Sequence, residues 1–200
     1  NTTEAINLVA NSFNFEKGDK VITTNLEHSS GLIPWHMLAE KNIIDLDFVL
    51  CNKEGEFNPE DFKEKIDNKT KLVSLIFASN VTGTISPVKE IVKIAHDNGT
   101  AVLADGAQAV PHLPVDVKKL DLDFLAFSGH KMCGPTGIGC LYGKKDSLEQ
   151  LSSFIVGGET ITDADLKYHT FDKLPYRLEG GIQNYAGAIG FGAAIDYLRK

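Results

Sequence analysis

Cysteine is scarce in this 200-residue chain: Cys51, Cys133 and Cys140 are odd in number, and none stands in a CxxC pair. Neither a disulfide framework nor a zinc knuckle is therefore expected to organise the fold. The six histidines include no i,i+4 pair, His28 and His36 being too far apart to share a helical face, so no metal site is expected either. No apolar run approaches the ~20 residues of a membrane span, and no secretory leader is recognisable, so a cytoplasmic protein is expected. Basic clusters are missing too. With 20 Lys+Arg against 27 Asp+Glu and a formal net charge of −7, nucleic acid and anionic membranes are poor candidates for the main partner. Internal repeats and low-complexity linkers are absent as well.

What is present is alternation. Helical patterns cover 2–13, 32–41, 59–66, 88–97 and 185–199, and apolar runs read as strands at 20–24, 43–50, 72–78, 101–104, 123–127 and 138–142. Asn1 with Glu4 three residues on forms a helix-start signal, and Pro59 and Pro87 mark two further starts. The run 72–78 is almost wholly apolar, as a central parallel strand covered on both faces requires. Strand, helix, strand in succession predicts an α/β fold of three layers, a mainly parallel sheet between two sets of helices. Periodicity fades over 151–179, where a long functional loop or lid is expected. The chain opens without methionine on a helix cap and ends at Lys200 within a helical pattern, so it is expected to be an excerpt of a longer protein.

Two short blocks carry the chemistry. Asp105-Gly106-Ala107-Gln108 follows the apolar run Ala101–Ala104, and Ser128-Gly129-His130-Lys131 follows Phe124–Phe127. Both sit where a buried strand ends, which is where α/β folds keep their reacting groups. A lysine, a carboxylate, an amide, a hydroxyl and an imidazole converging there suit pyridoxal 5′-phosphate. Lys131 would form the Schiff base and Asp105 would pair with the pyridinium nitrogen, since a carboxylate at a buried strand end is costly unless paired. Gln108 would donate to the phenolic oxygen. His28, after the strand at 20–24, would lie on the ring and exchange protons. Thr2 and Thr3, in the first turn of the first helix, would join Ser128 and His130 in holding the phosphate. Each of these residues also has a plain alternative, as a solvated lysine, a helix cap or a loop histidine, and only their joint occurrence favours the site. Gly134-Pro135-Thr136-Gly137-Ile138-Gly139 precedes a strand, not a helix, so it reads as a turn passing close to Lys131 and not as a dinucleotide fingerprint.

With TTEAINLVANS, LEHSSGLIPWHML, ASNVTGTISPV, LADGAQAVPHLPVDV, DFLAFSGHKMCGPTGIGCLYG and GGIQNYAGAIGFGAAIDYL, the sequence resembles the class V aminotransferase family of pyridoxal-phosphate enzymes. Its nearest likeness there is the SUF-type cysteine desulfurase and selenocysteine lyase branch. The resemblance implies that residues 1–200 are a fold-type I large domain with a seven-stranded sheet, separated from an N-terminal segment and a C-terminal small domain. It implies a homodimer with active sites at the subunit interface, and it adds Asn80 beside the phenolic oxygen and the substrate. The implied activity is conversion of L-cysteine to L-alanine with an enzyme-bound persulfide, passed to a sulfur-acceptor protein for iron–sulfur cluster biogenesis. A different class V reaction, transamination or epimerisation, and a catalytically silent scaffold are the alternatives. The persulfide cysteine and the carboxylate-binding arginine of that branch lie in its C-terminal part, beyond Lys200, and Ile182 stands where the family carries a threonine.

Overall fold

The computed structural model describes residues 1–200. Helix α1 (Thr2–Ser12) leads into β1 (Asp19–Thr24), α2 (Ser29–Glu40) and β2 (Ile44–Val49). Then follow α3 (Pro59–Lys65), β3 (Thr70–Ile76), α4 (Val88–Asp97) and β4 (Ala101–Asp105). The short helices α5 (Ala109–His112) and α6 (Val117–Leu120) precede β5 (Phe124–Ser128). The chain ends with β6 (Gly139–Gly143), α7 (Lys145–Glu149), β7 (Ile161–Ala164), β8 (His169–Phe171) and α8 (Tyr185–Leu198). No helix is long and apolar enough to cross a membrane.

One sheet of six strands in the order β2-β1-β3-β4-β5-β6 forms the middle layer. Its first five strands are parallel and β6 runs antiparallel against β5. The expected count of seven is corrected to six. No segment after β6 adds to the sheet, because β7 and β8 pair only with each other.

Side-chain alternation along the strands divides the core between the two faces. Ile22, Val73 and Leu75 meet Phe62 of α3 and Ile91 and Val92 of α4 on one face. On the other, Val21, Leu72, Leu103 and Phe124 meet Ile6 and Val9 of α1 and Trp35 and Leu38 of α2. Met132, Phe191 and Ala194 form a smaller cluster that docks α8 against the turn after Lys131.

Helix α2 begins at Ser29, ahead of the expected 32, because the His28 side chain accepts the Ser30 N–H and caps it. Strand β3 stops at Ile76, ahead of the expected 78, and Ala78 instead bridges to Ile85. Within the stretch expected to be loop, the β7–β8 hairpin is almost entirely exposed.

Candidate active site

Strands β1, β3, β4 and β5 bring their carboxyl ends together around a cavity of about 240 Å³. Its position follows from the topology. The strand order reverses between β1 and β3, and the helices that follow them, α2 and α4, pack on opposite faces of the sheet. The connections therefore diverge and leave a crevice at the carboxyl ends. Every site residue expected from the sequence lines it: Thr2, Thr3, His28, Asn80, Asp105, Gln108, Ser128, His130 and Lys131.

Asp105 ends β4 and is only 5% exposed. Its Oδ1 accepts the Ala107 N–H at 2.9 Å. Burial pushes its carboxyl above the ordinary carboxylate range, against the Ala107 N–H and the neighbouring Lys131 and His28. A raised acid beside a lysine, inside a cleft, is a common mark of a working site.

Lys131 closes the 3-10 turn Gly129–Lys131 that follows β5. The Gly129 N–H donates to Ile138 O at 2.9 Å, while the Gly129 carbonyl accepts from Met132 at 2.8 Å and Gly134 at 2.9 Å. The glycine-rich stretch after Lys131 is thus folded back beneath the lysine, as expected. A Cβ on Gly129 would meet Ile138 O at 3.2 Å and Pro135 O at 3.3 Å, and backbone cannot easily give way. Gly129→Ala is therefore expected to lower stability by about 1–3 kcal/mol, the scale of overpacking, measured by denaturant unfolding.

The opposite wall is the start of α1. Asn1 caps the helix by accepting the Glu4 N–H at 3.0 Å. The Thr2 N–H donates to Ser128 Oγ at 2.8 Å, and the two hydroxyls lie 2.6 Å apart. The end of β5 and the first turn of α1 are thereby locked together. Thr3 Oγ1 lies 2.7 Å from Ser30 Oγ, and Ser30 donates its N–H to His28 Nδ1 at 3.1 Å. With Nδ1 accepting, the proton of a neutral His28 ring sits on Nε2. Helix N-terminus, threonine and serine hydroxyls and the exposed His130 make this end suited to an anion. Gln108 spends no side-chain bond on capping α5, and Asn80 lies exposed on the rim.

Ser30, Ile76, Ala78 and Ala107 also line the cavity and were not expected from the sequence. The signal for Ile76 and Ala78 was available, since Ile76 ends a buried strand beside the one that carries Asp105 and Ala78 closes the same apolar run. Ser30 had no separate signal, its contacts depending on how α2 meets α1.

Known proteins agree with this geometry. The aminotransferase class-V family pattern matches residues 1–200. A protein of Halalkalibacterium halodurans named a probable cysteine desulfurase is 50% identical over 98% of this chain and 49% of its own length. A cysteine desulfurase of Haloferax volcanii is 44% identical over 99% of this chain and 47% of its own. Among solved structures, the cysteine desulfurase CsdA of Escherichia coli superposes with a TM-score of 0.96 at 38% identity, over 100% of this chain and 51% of that one. The chain thus spans about half the length of the relatives it matches. Along that whole span, sequence pattern and backbone agree, and the chain belongs to the aminotransferase class-V family.

Proposed function

We propose that this chain is the cofactor-binding part of a pyridoxal 5′-phosphate-dependent cysteine desulfurase. The observation that carries the reading is Asp105, a 5%-exposed carboxylate at the floor of a cavity it shares with Lys131. A buried acid held this way is a standing cost unless a cation pairs with it, and a protonated ring nitrogen is such a cation. The residues fit the cofactor at its other end too, where the α1 N-terminus, Ser128 and His130 suit a phosphate. When bound, pyridoxal phosphate supplies an aldehyde for an amine and a ring that takes up electrons from a substrate carbon.

The chain's own groups then divide the work. Lys131 would hold the cofactor through Nζ and, with its amine free, would move protons at the substrate Cα. Asp105 stabilises charge on the ring nitrogen. His28 would face the ring and exchange a proton at Nε2, while Gln108 and Asn80 would donate to the phenolic oxygen. Thr2 and Thr3 complete the phosphate end. The relatives' printed names support cysteine as the substrate. A homodimer, delivery of sulfur to an acceptor protein and a cytoplasmic setting complete the reading.

Purified protein mixed with pyridoxal phosphate should gain a visible absorbance band and, as part of the full-length enzyme, form alanine from cysteine. A protein that stays colourless at saturating cofactor would overturn the proposal. Amino transfer to a keto acid without sulfur release would assign another class V reaction to the same site.

A further inference from the structure

One acid beside the cavity has no part in the chemistry above. Strands β1 and β3 pair only from Lys20↔Thr70 to Ile22↔Val73, so Thr24 and Ile76 lie past the end of their ladder, in the switch-point crevice. The Glu27 side chain occupies that gap. Its Oε1 accepts the Ile76 N–H at 2.7 Å and the Thr24 hydroxyl at 2.6 Å. Its Oε2 is buried without a partner. The first turn of α2 lies over that oxygen, and a Cβ on Gly31 would stand 2.8 Å from it. Glycine there makes room for the carboxyl, although glycine weakens a helix.

Of the elements so joined, the end of β3 and the start of α2 line the cavity, and β1 adjoins them. Ile76 lines the cavity and is the register partner of Asp105. Thr24 ends β1, and His28, the next residue after Glu27, caps α2 and lines the cavity. We propose that Glu27 is a positioning residue, whose carboxyl group fixes the loop bearing His28 against the ends of β1 and β3. The inference deepens the proposed function, on which the role of His28 rests.

The group is suited to work as a neutral acid. Burial pushes the Glu27 carboxyl up to about 8, opposed by the Thr24 hydroxyl and the Ile76 N–H, and the charge of Asp105 adds to the rise. Asp105 is the charged group that faces it from the sheet. Its own loop brings His28, and the first turn of α2 brings only Ser29, Ser30 and Gly31.

NMR of the His28 ring in cofactor-free protein, followed from pH 6 to 9, tests the assignment. Wild type and Glu27→Gln, whose amide oxygen can accept both bonds, should each show one Nε2–H tautomer, and only wild type should add a perturbation near pH 8. Glu27→Ala should show an exchange-averaged ring. In cofactor-loaded enzyme Glu27→Ala should lower kcat on the order of tenfold to a hundredfold, the scale of a misplaced reacting group, with Glu27→Gln recovering most of it. Thr24→Val, which removes one of the two bonds, should move the His28 signals the same way but less, should Glu27→Ala not fold. Unchanged His28 signals in folded Glu27→Ala or in Thr24→Val would overturn the proposal, as would Glu27→Gln behaving like Glu27→Ala. A wild type that binds no pyridoxal phosphate would overturn the proposed function, while the ring signals would still decide the role of Glu27.

Discussion

Lys131→Ala is expected to lose the visible absorbance of the cofactor-loaded protein and to turn over at least about 10²–10⁴-fold more slowly, the contribution typical of a positioned proton-transfer group. The fold should survive the change. Lys131 stands on a turn fixed from both sides by other residues, with Gly129 bonded to Ile138 and Met132 packed on Phe191 and Ala194 of α8. Thermal unfolding should therefore move little, because the substitution removes a partly exposed side chain and no backbone bond. Lys131→Arg separates charge from nucleophilicity: it keeps a cation near Asp105 but offers no free amine. It should share the loss of covalent attachment and retain more of the non-covalent affinity. Gel filtration after loading checks this, since cofactor held only by hydrogen bonds and charge should leave with the buffer. A Lys131→Ala protein that keeps its colour and turnover would remove the lysine from the chemistry.

Legibility in the sequence followed burial. Strands β3, β4 and β5 are covered on both faces by helices, so they must be written as apolar runs, and their extents were recoverable to within two residues. Helix α4 could be read because Ile91, Val92 and Ala95 fall on one face of an otherwise charged helix. The β7–β8 hairpin was invisible for the converse reason. With nearly every residue exposed, neither face carries the alternation that marks a strand. The short helices α5, α6 and α7 span too few residues for a period to show, and only α6 carries a side-chain cap, Asp116 accepting from Lys118 and Lys119. In the site, the residues at strand ends were accessible to sequence reasoning because a polar group after an apolar run is conspicuous. Glu27 was not. It lies between Leu26 and His28 like any loop acid, and its burial results from the divergence of β1 and β3, which is a property of the assembled sheet.

Asp105→Asn should move stability and cofactor binding in opposite directions. In cofactor-free protein the Asp105 carboxyl is 5% exposed, and burial raises it above the ordinary carboxylate range more than the Ala107 N–H, Lys131 and His28 lower it. The folded chain thus holds this proton more tightly than the unfolded chain. Below the unfolded carboxylate range both states are protonated and nothing is lost. As pH rises through that range the unfolded chain ionises first, and stability falls until the folded carboxyl has ionised too. Asparagine cannot ionise, and its side-chain oxygen can still accept the Ala107 N–H. The cofactor-free variant should therefore unfold at higher denaturant concentration than wild type at pH 7 and lose that advantage near pH 4. Cofactor affinity should go the other way. Removing one member of a buried charge pair costs about 2–5 kcal/mol, and the lower figure is already about thirtyfold in Kd. Turnover should fall further, on the order of 10²–10³-fold, because charge developing on the ring would lose its fixed partner. Denaturant midpoints at two pH values, together with a cofactor titration, measure both halves. A merely structural Asp105 would lower stability and leave the titration unchanged, whereas a stabilised protein that binds its cofactor poorly is what a carboxylate kept for function produces.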